Sequence, residues 1–483
     1  MAEHLYERVA TELAQQIEQG TYAPGDRLPG VRRLRRQFGV SIATVVAACE
    51  LLEQREILEA RPRSGFFVRD GARDLPEPED NDEALAGPSL VSGQERVLEL
   101  VQSHNDPAVI SFGAAAPAAA LLPSAALDRS FARVRRRQRA RVAAYDFPPG
   151  NAELRVQVAR RMAQAGCTLG PDDIVLTSGC QDAMLLALRA VAEPGDVVAI
   201  ESPAFYGILQ AIESQGMRAL EIATDPTEGM SPAALARALD NWPIRACVMM
   251  PSFGNPLGHL APDARKAELV ALLQARDVPL IEDDVFGELG FHGPRPWAAK
   301  AYDDHGSVLY CSSFSKTLGA GLRVGWIAPG RYRERVTYLK YATGQATASM
   351  ATLAVADYLE QGGYERFLRG LRRRLEQQVQ RVINHVRRHF PAGTRVARPR
   401  GGFVVWVALP TGHDSLALQQ RALASGISFA PGPFFSSTEH YRNCLRLSCA
   451  QPWTPEVAEA LAQLGRLATE PAQWAPTKDC GTA

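Results

Sequence analysis

The chain lacks the features that would direct it into a membrane or out of the cell. No stretch approaches the ~18–20 uninterrupted apolar residues that a membrane helix needs. The segment after Met1 carries acidic residues where a secretion signal has its apolar core. The eight cysteines are scattered and form no C-x-x-C pair, so neither a zinc site nor a disulfide framework is indicated. We therefore expect a reducing, bacterial-type cytoplasm, without a bound metal or a membrane partner.

Net charge is also lacking, because 53 Lys and Arg residues balance 53 Asp and Glu residues. Any contact with nucleic acid must therefore come from a local concentration of charge. Hydrophobic residues make up 46% and charged residues 22% of the 483 positions, which are ordinary values for a globular protein. This composition excludes a collagen-like, a mostly disordered or a disulfide-scaffold protein. The length predicts about two to four domains.

An acidic, proline-containing segment divides the chain. Between residues 74 and 83, six side chains are acidic, two are proline and none is basic. Such a segment cannot bury apolar surface and its charges repel one another, which predicts an extended linker over residues 73–93. The predicted domains are then residues 1–72 and residues 94–475. A long surface loop within one domain is the alternative interpretation.

The part before the linker has the pattern of a small helical domain that ends in a hairpin. Leu5, Val9 and Leu13 recur at four-residue spacing and predict an amphipathic helix. A second apolar stripe follows, and Ser41 is suited to cap the third helix. Two short apolar runs around a Pro-Arg-Ser-Gly turn predict a hairpin over residues 57–68. Three helices followed by a hairpin form the layout of a winged helix-turn-helix, which is rich in α-helix.

The part after the linker alternates between strand-like and helical patterns. The candidate strands are short and apolar on both faces, and helical stretches separate them. They cover residues 173–177, 196–200, 245–250, 278–282, 307–311 and 322–326. This pattern predicts an α/β domain with a largely parallel sheet that is covered by helices.

The first block resembles the winged helix of the GntR family through residues 4–69, with turn glycines at the family spacing. The resemblance implies that the third helix enters the major groove and that the wing reaches the DNA backbone or the minor groove. The DNA-binding residues that it implies are Arg32, Arg33, Ser41, Ala43, Thr44, Arg63, Ser64 and Gly65. Val31 and Ile42 depart from the family pattern, which often has an acidic and a basic residue there. A solvated helix face is the alternative for the arginine run that begins at Arg32.

The second block contains a string from Ser312 to Gly325 that resembles the Schiff-base signature of fold-type I aminotransferases. A lysine amine at the end of a strand can condense with an aldehyde and then exchange with incoming amines. The resemblance implies that Lys316 is the catalytic residue and holds pyridoxal 5′-phosphate. It also implies that Ser313 and Arg323 hold the cofactor phosphate, for which the arginine fork is well suited.

Other parts of the same signature occur in the family order. Gly179, Cys180 and Gln181 follow a predicted strand and open a helix, whose amino end can bind phosphate. An ordinary helix cap is the alternative. By its offset from Pro203, Phe205 is assigned to stacking on the pyridine ring, with Tyr206 as the fallback and a core aromatic as the alternative.

Three polar residues complete the cofactor and effector site that the resemblance implies. Asn255 would donate to the phenolic oxygen of the ring, and Asp283 would keep the ring nitrogen protonated. Asp283 is preferred to its neighbour Asp284 on spacing, because strand alternation lets only one of them face the ring. Arg446 would clamp the α-carboxylate of an amino acid, with a structural ion pair as the alternative. Phe286 departs from the pattern, which usually has a tyrosine there.

A GntR-like winged helix followed by a fold-type I aminotransferase-like domain resembles the MocR subfamily of bacterial transcriptional regulators. The resemblance implies a homodimer that binds operator half-sites in double-stranded DNA. It also implies that an amino-group effector reacts at the imine of Lys316 and so changes DNA binding. A working aminotransferase with an attached DNA-binding module is the main alternative, and the sequence leaves catalytic turnover open. A regulator that uses the pocket without a cofactor is a third possibility.

Overall fold

The computed structural model describes residues 5–18, 21–22, 25–54, 57–61, 64–68, 77 and 87–469. Most of the predicted linker and the last residues of the predicted second domain therefore lie outside the described residues. The same holds for Arg63 at the predicted tip of the wing. Within the described part, no helix is both long and apolar enough to cross a lipid bilayer.

The amino-terminal unit consists of helices α1, α2 and α3 followed by an antiparallel hairpin of strands β1 and β2. Their bounds are Leu5–Glu18, Val31–Phe38, Ile42–Gln54, Leu58–Arg61 and Gly65–Val68. Leu13, Val45 and Leu52 are fully buried between the helices. The hydroxyl of Ser41 accepts a hydrogen bond from the backbone N–H of Thr44 at 3.1 Å, which confirms the predicted cap of the third helix. The predicted winged helix-turn-helix layout is therefore present.

The second unit is built on a large, mostly parallel sheet. Its members are β3 (Ser89–Leu90), β5 (Val175–Thr177), β6 (Val197–Ser202), β7 (Arg218–Asp225), β8 (Gly229–Met230), β9 (Ile244–Met249), β10 (Leu280–Asp283), β11 (Val308–Ser313) and β12 (Gly325–Ala328). The strand order is β3-β7-β6-β9-β10-β11-β12-β5, with β8 paired to β7. The adjacent pairs among the central strands β7, β6, β9, β10 and β11 are all parallel. Strand β12 is antiparallel to both of its neighbours.

The last candidate strand begins later than the pattern predicts. Arg323 has a left-handed backbone, with φ of 50°, and a short 3-10 turn precedes it. This conformation interrupts an extended run, so the strand starts only at Gly325. The turn places the side chain of Arg323 next to Gly179 rather than in the sheet.

A smaller unit near the carboxyl end has an antiparallel sheet in the order β13-β14-β17-β16 and a separate parallel pair of β15 and β4. The bounds are β4 (Ile110–Ser111), β13 (Arg395–Val396), β14 (Val404–Ala408), β15 (Ile427–Ser428), β16 (Ala430–Pro431) and β17 (Cys444–Ser448). Helix α14 (Tyr364–His389) reaches from the large sheet to this unit, because its first half packs in one core and its second half in the other.

Helices cover both sheets. The remaining ones are α4 (Arg96–Ser103), α5 (Ser124–Arg137), α6 (Arg139–Ala143), α7 (Ala152–Gln164), α8 (Cys180–Val191), α9 (Tyr206–Ser214), α10 (Pro232–Asn241), α11 (Asp263–Gln274), α12 (Arg333–Gly344), α13 (Ser349–Glu360), α15 (Ser415–Ala424) and α16 (Pro455–Thr469). Separate apolar cores lie among these helices and the large sheet. The predicted α/β domain is confirmed.

Candidate functional site

The carboxyl ends of the central strands meet at one edge of the large sheet and form a cleft. Such an edge is where open α/β sheets bind ligands, because side chains from separate strands converge there. Strands β5, β6, β9, β10 and β11 all end at this edge. Predicted site residues from distant parts of the sequence therefore lie close together.

Lys316 lies just beyond the end of β11, with its amine inside the cleft. Its Nζ donates a hydrogen bond to the backbone carbonyl of Ala115 at 2.6 Å. Burial lowers the pKa of the Lys316 amine to about 8, and the positive charge of Arg446 acts in the same direction against the carboxylate of Asp283. A lysine of lowered pKa has a larger neutral fraction at physiological pH than an ordinary lysine and is therefore a better nucleophile.

Asp283 ends β10 and faces the amino end of α8. Its Oδ1 accepts hydrogen bonds from Cys180 Sγ at 3.3 Å and from the backbone N–H of Val285 at 3.1 Å. Burial raises the pKa of Asp283 to about 6, although the thiol hydrogen bond of Cys180 opposes the shift. Burial also raises the pKa of the Cys180 thiol well above its ordinary value, so Cys180 keeps its proton and acts as a donor.

Asp284, the carboxylate next to Asp283 in the sequence, contacts a different set of residues. Asp284 Oδ2 accepts from Arg295 Nη2 at 2.7 Å and from the Tyr310 hydroxyl at 2.6 Å. These partners belong to a buried network with Glu288. The two adjacent carboxylates therefore face different surroundings, and Asp283 is the one that contacts Cys180.

Gly179, Cys180 and Arg323 form a small basic cradle at the amino end of α8. Gly179 has φ of +102°, and a Cβ atom there would lie 2.5 Å from Arg323 Nη2. Arg323 Nη2 also donates to the carbonyl of Ser178 at 2.6 Å. The N–H groups of the first helical turn and the guanidinium suit an anion such as phosphate. Ser313 is buried at the end of β11.

Phe205 and Gln181 line the neighbouring wall. Gln181 Nε2 donates to the carbonyl of Gly207 at 2.7 Å, so its side chain points toward α9. A Cβ atom at Gly207 would lie 2.4 Å from Phe205 Cε1 and 2.8 Å from Gln181 Oε1, which places the Phe205 ring near Gln181. Tyr206 is more deeply buried and packs toward Phe435.

Arg446 on β17 closes the other side of the cleft and is fully buried. Its Nη1 donates to Asn255 Oδ1 at 3.3 Å, and its Nη2 donates to the carbonyl of Gly113. Burial lowers the pKa of the Arg446 guanidinium, because little solvent reaches it. In the described part of the chain no carboxylate pairs with Arg446, and its Nε has no hydrogen-bond partner. The arrangement favours an anion-binding role over a structural ion pair.

Phe286 is buried with its ring edge against Phe403, at 5.0 Å between centroids. It supplies no hydroxyl to the cleft.

The sequence motifs also do not indicate the contact between His259 and Glu201. These residues are far apart in the sequence, and no spacing rule connects them.

The predicted DNA-reading residues of the winged helix are exposed or half-buried where they are described. Arg32 and Arg33 are exposed on α2, and among the described residues neither forms an ion pair. Ser41 and Ala43 are exposed at the start of α3, where Thr44 is half-buried. Ser64 lies in the turn before β2, and Gly65 is the first residue of that strand. Clusters of side chains that could hold a metal ion are absent from the part of the chain that the structure describes.

The fold and the cleft define a protein with a winged helix-turn-helix and an aminotransferase-like domain. Residues 92–464 match the family "Aminotransferase class I and II", and residues 5–68 match "Bacterial regulatory proteins, gntR family". The chain belongs to the aminotransferase class I and II family and joins to it a GntR-type domain, an architecture consistent with MocR-type regulators.

Some relatives match nearly the whole chain, and others, together with solved structures, match its larger part. The HTH-type transcriptional regulator YjiR of Escherichia coli is 39% identical over 95% of this chain and 98% of its own. The 2-aminoadipate transaminase of Thermus thermophilus is 31% identical over 77% of this chain and 92% of its own. The crystal structure of LysN, the α-aminoadipate aminotransferase of Thermus thermophilus, superimposes with a TM-score of 0.71 at 29% identity, over 78% of this chain and 95% of that one.

Proposed function

We propose that the protein is a transcriptional regulator that holds pyridoxal 5′-phosphate on Lys316 and senses a small molecule with an amino group and a carboxylate. The observation that carries the proposal is the pairing, in one cleft, of a half-buried lysine amine of lowered pKa with a buried arginine that lacks an acidic partner among the described residues. These two groups match the two ends of an α-amino acid.

The residues present fit the cofactor. A Cβ atom at Gly179 would displace the Arg323 guanidinium, and this cradle offers donors to a phosphate. The buried carboxylate of Asp283 suits a protonated ring nitrogen, and Phe205 offers a ring for stacking. When bound, pyridoxal phosphate supplies an aldehyde that condenses with a lysine amine and exchanges with incoming amines.

Arg446 and Asn255 would recognise different groups, one on the effector and one on the cofactor. Arg446 would bind the effector carboxylate in a two-pronged contact, replacing the Gly113 carbonyl. Its contact with Asn255 Oδ1 leaves the Asn255 Nδ2 protons available to the phenolic oxygen of the ring. The effector then changes DNA binding only to the extent that it binds the two states of the protein unequally.

DNA binding is proposed for Arg32, Arg33, Ser41, Ala43, Thr44, Ser64 and Gly65, together with Arg63 outside the described residues. The exposed arginines would meet phosphates, and the start of α3 would meet base edges.

We also propose that the protein acts as a homodimer on two half-sites. An exposed aromatic cluster supports this, because Phe147 contacts both Tyr145 and Tyr341 at the surface, with 53% or more of each exposed. Clustered exposed aromatics are typical of an interaction surface.

The proposal is tested by titrating the purified protein with amino acids and amines while recording cofactor absorbance. The titration is repeated with a duplex that the protein selects from a random-sequence pool. We expect amino acids to change both absorbance and DNA affinity, and Lys316→Ala to abolish both responses while it retains DNA binding. DNA affinity that ignores every amino acid and amine would contradict the proposal.

A working aminotransferase is a second candidate, favoured by the presence of the amine, the buried carboxylate and the arginine in one cleft. Stoichiometric transfer of an amino group to a keto acid, lost in Lys316→Ala and independent of DNA, would establish it.

A further inference from the structure

Two buried ionisable side chains, Glu201 and His259, contact each other behind the proposed cofactor site. Their side chains are only 7% and 3% exposed, and His259 Nε2 lies 3.1 Å from Glu201 Oε1, at ion-pair distance but without the geometry of a hydrogen bond. The second carboxylate oxygen of Glu201 accepts a hydrogen bond from the backbone N–H of Met250 at 2.8 Å. A buried carboxylate is costly unless it is paired, so this contact serves a purpose beyond filling space.

The imidazole occupies a slot that exists because two residues lack side chains. A Cβ atom at Gly254 would lie 2.2 Å from His259 Cε1, and one at Gly229 would lie 2.9 Å from His259 Cδ2. Neither approach is possible for a residue with a side chain unless the ring shifts. The His259 ring thus lies between the backbone at Gly254 and the backbone at Gly229, and its position depends on both.

The pair joins the two loops that carry Phe205 and Asn255. Glu201 lies near the end of β6, just before the loop of Phe205, and Met250 directly follows β9. The chain then forms a turn that carries Asn255 and returns at His259. The base of this turn is closed by the hydrogen bond from Gly254 N–H to the carbonyl of His259 at 3.1 Å. Met250, which precedes the turn, and His259, which follows it, therefore both contact Glu201.

We infer that His259 is a positioning residue that, through Glu201, fixes the turn presenting Asn255 to the phenolic oxygen of pyridoxal phosphate. This inference rests on the proposed function. Without the His259 ring beside it, Glu201 keeps only the Met250 N–H among the described residues, and the turn loses its fixed distance from the Phe205 loop.

The test compares His259→Leu, His259→Gln and Asn255→Ala in the full-length protein loaded with pyridoxal phosphate. The readouts are the pH midpoint of the cofactor's absorbance and the dissociation constant of the cofactor. A hydrogen bond to the phenolic oxygen stabilises its anionic form. We therefore expect His259→Leu to raise the midpoint by about one pH unit, equivalent to a tenfold change in the equilibrium. His259→Gln, which keeps a donor, should remain closer to the wild type.

A double variant separates positioning from general loosening. If His259 acts through Asn255, His259→Leu should add nothing to the midpoint change of Asn255→Ala, whereas independent effects would add. Tryptophan fluorescence during thermal unfolding of the cofactor-free variants is the control for folding, because all six tryptophans lie at residue 242 or beyond. If His259→Leu does not fold, Glu201→Gln is expected to raise the midpoint in the same way.

The outcomes distinguish this inference from the proposed function. An unchanged midpoint in His259→Leu, or additive changes in the double variant, would overturn the role of His259 alone. A wild-type protein that forms no absorbance band with pyridoxal phosphate would overturn the proposed function and this inference with it.

Discussion

Replacing Asp283 by Asn should change stability and cofactor binding in opposite directions. Burial raises the pKa of Asp283 from 3.8 to about 6, and a tenfold change in a protonation equilibrium corresponds to ~1.36 kcal/mol. The charged carboxylate therefore costs the cofactor-free protein about 3 kcal/mol where it is fully ionised. Asn removes the charge, while its Oδ1 can still accept from Cys180 and Val285.

The sign of the pH dependence follows from the direction in which folding moves the pKa. A carboxyl group whose pKa is raised by folding destabilises the fold only when it is ionised. The cost is absent below pH ~4, grows between pH ~4 and ~6, and is complete above that range. We expect Asp283→Asn to stabilise the cofactor-free protein at pH 8 and to leave its stability almost unchanged at pH 4.

Tryptophan fluorescence during thermal unfolding is a suitable assay. All six tryptophans lie at residue 242 or beyond, so the signal reports the aminotransferase-like domain and not the winged helix. The matched control is Asp284→Asn, because removing the charge of Asp284 deprives the buried Arg295 of its 2.7 Å ionic partner. That loss should destabilise the protein at pH 8, where Glu288 remains as the other acidic partner of Arg295 at 3.4 Å. If Asp283→Asn lowers the unfolding temperature at pH 8 as the control does, the reasoning about Asp283 is wrong.

The second part of the prediction is that Asp283→Asn weakens cofactor binding. A hydrogen bond between Asp283 and a protonated ring nitrogen joins two charged groups, and such bonds contribute about 1.5–3 kcal/mol. The same Asp283→Asn variant should therefore bind pyridoxal phosphate about 10–100-fold more weakly. Wild-type affinity in this variant would contradict the assignment of Asp283 to the ring nitrogen.

Three further substitutions test separate parts of the site. Arg32→Ala should weaken binding to all DNA sequences similarly and reduce the slope of log affinity against log salt by about one, as measured by fluorescence anisotropy. Arg446→Lys should retain the cofactor absorbance band but reduce the response to amino acids more than about tenfold, because lysine cannot make the two-pronged carboxylate contact. Gly179→Ala should weaken cofactor binding about tenfold or more in an absorbance titration, because its φ of +102° strains an alanine and the added Cβ atom would displace the Arg323 guanidinium, whose Nη2 lies 2.5 Å away.

Much of the architecture is predictable from the sequence because it depends on local patterns. Ser41 caps α3 through a hydrogen bond to a residue three positions away. The parallel strands are buried on both faces, which leaves an unbroken apolar signature in the sequence. Strand alternation also favours one of two adjacent carboxylates, and in the structure Asp283 and Asp284 have different partners.

The remaining features depend on contacts that no local pattern encodes. Glu201 and His259 come into contact because β6 and β9 are neighbours in the sheet. The spacing of the strands along the sequence does not give their order in the sheet. The late start of β12 results from the left-handed backbone of Arg323, a conformation that is uncommon for residues other than glycine. Long-range pairing and unusual backbone angles thus account for the features that the sequence does not predict.

One short segment of backbone contacts both Arg446 and Lys316, the two residues that are proposed to recognise the effector. The carbonyl of Gly113 accepts from Arg446, and the carbonyl of Ala115, two residues later, accepts from Lys316. With pyridoxal phosphate on Lys316, the lysine Nζ would already be committed to the cofactor, so an amino acid would differ from a simple amine by competing, through its carboxylate, with the Gly113 carbonyl for Arg446. Because a ligand shifts an equilibrium only through contacts that differ between states, the amino acid would have the larger influence on this segment. The segment also pairs with the smaller unit through Phe112 N–H and the carbonyl of Ser428 at 2.7 Å, so its release would affect both sides of the cleft.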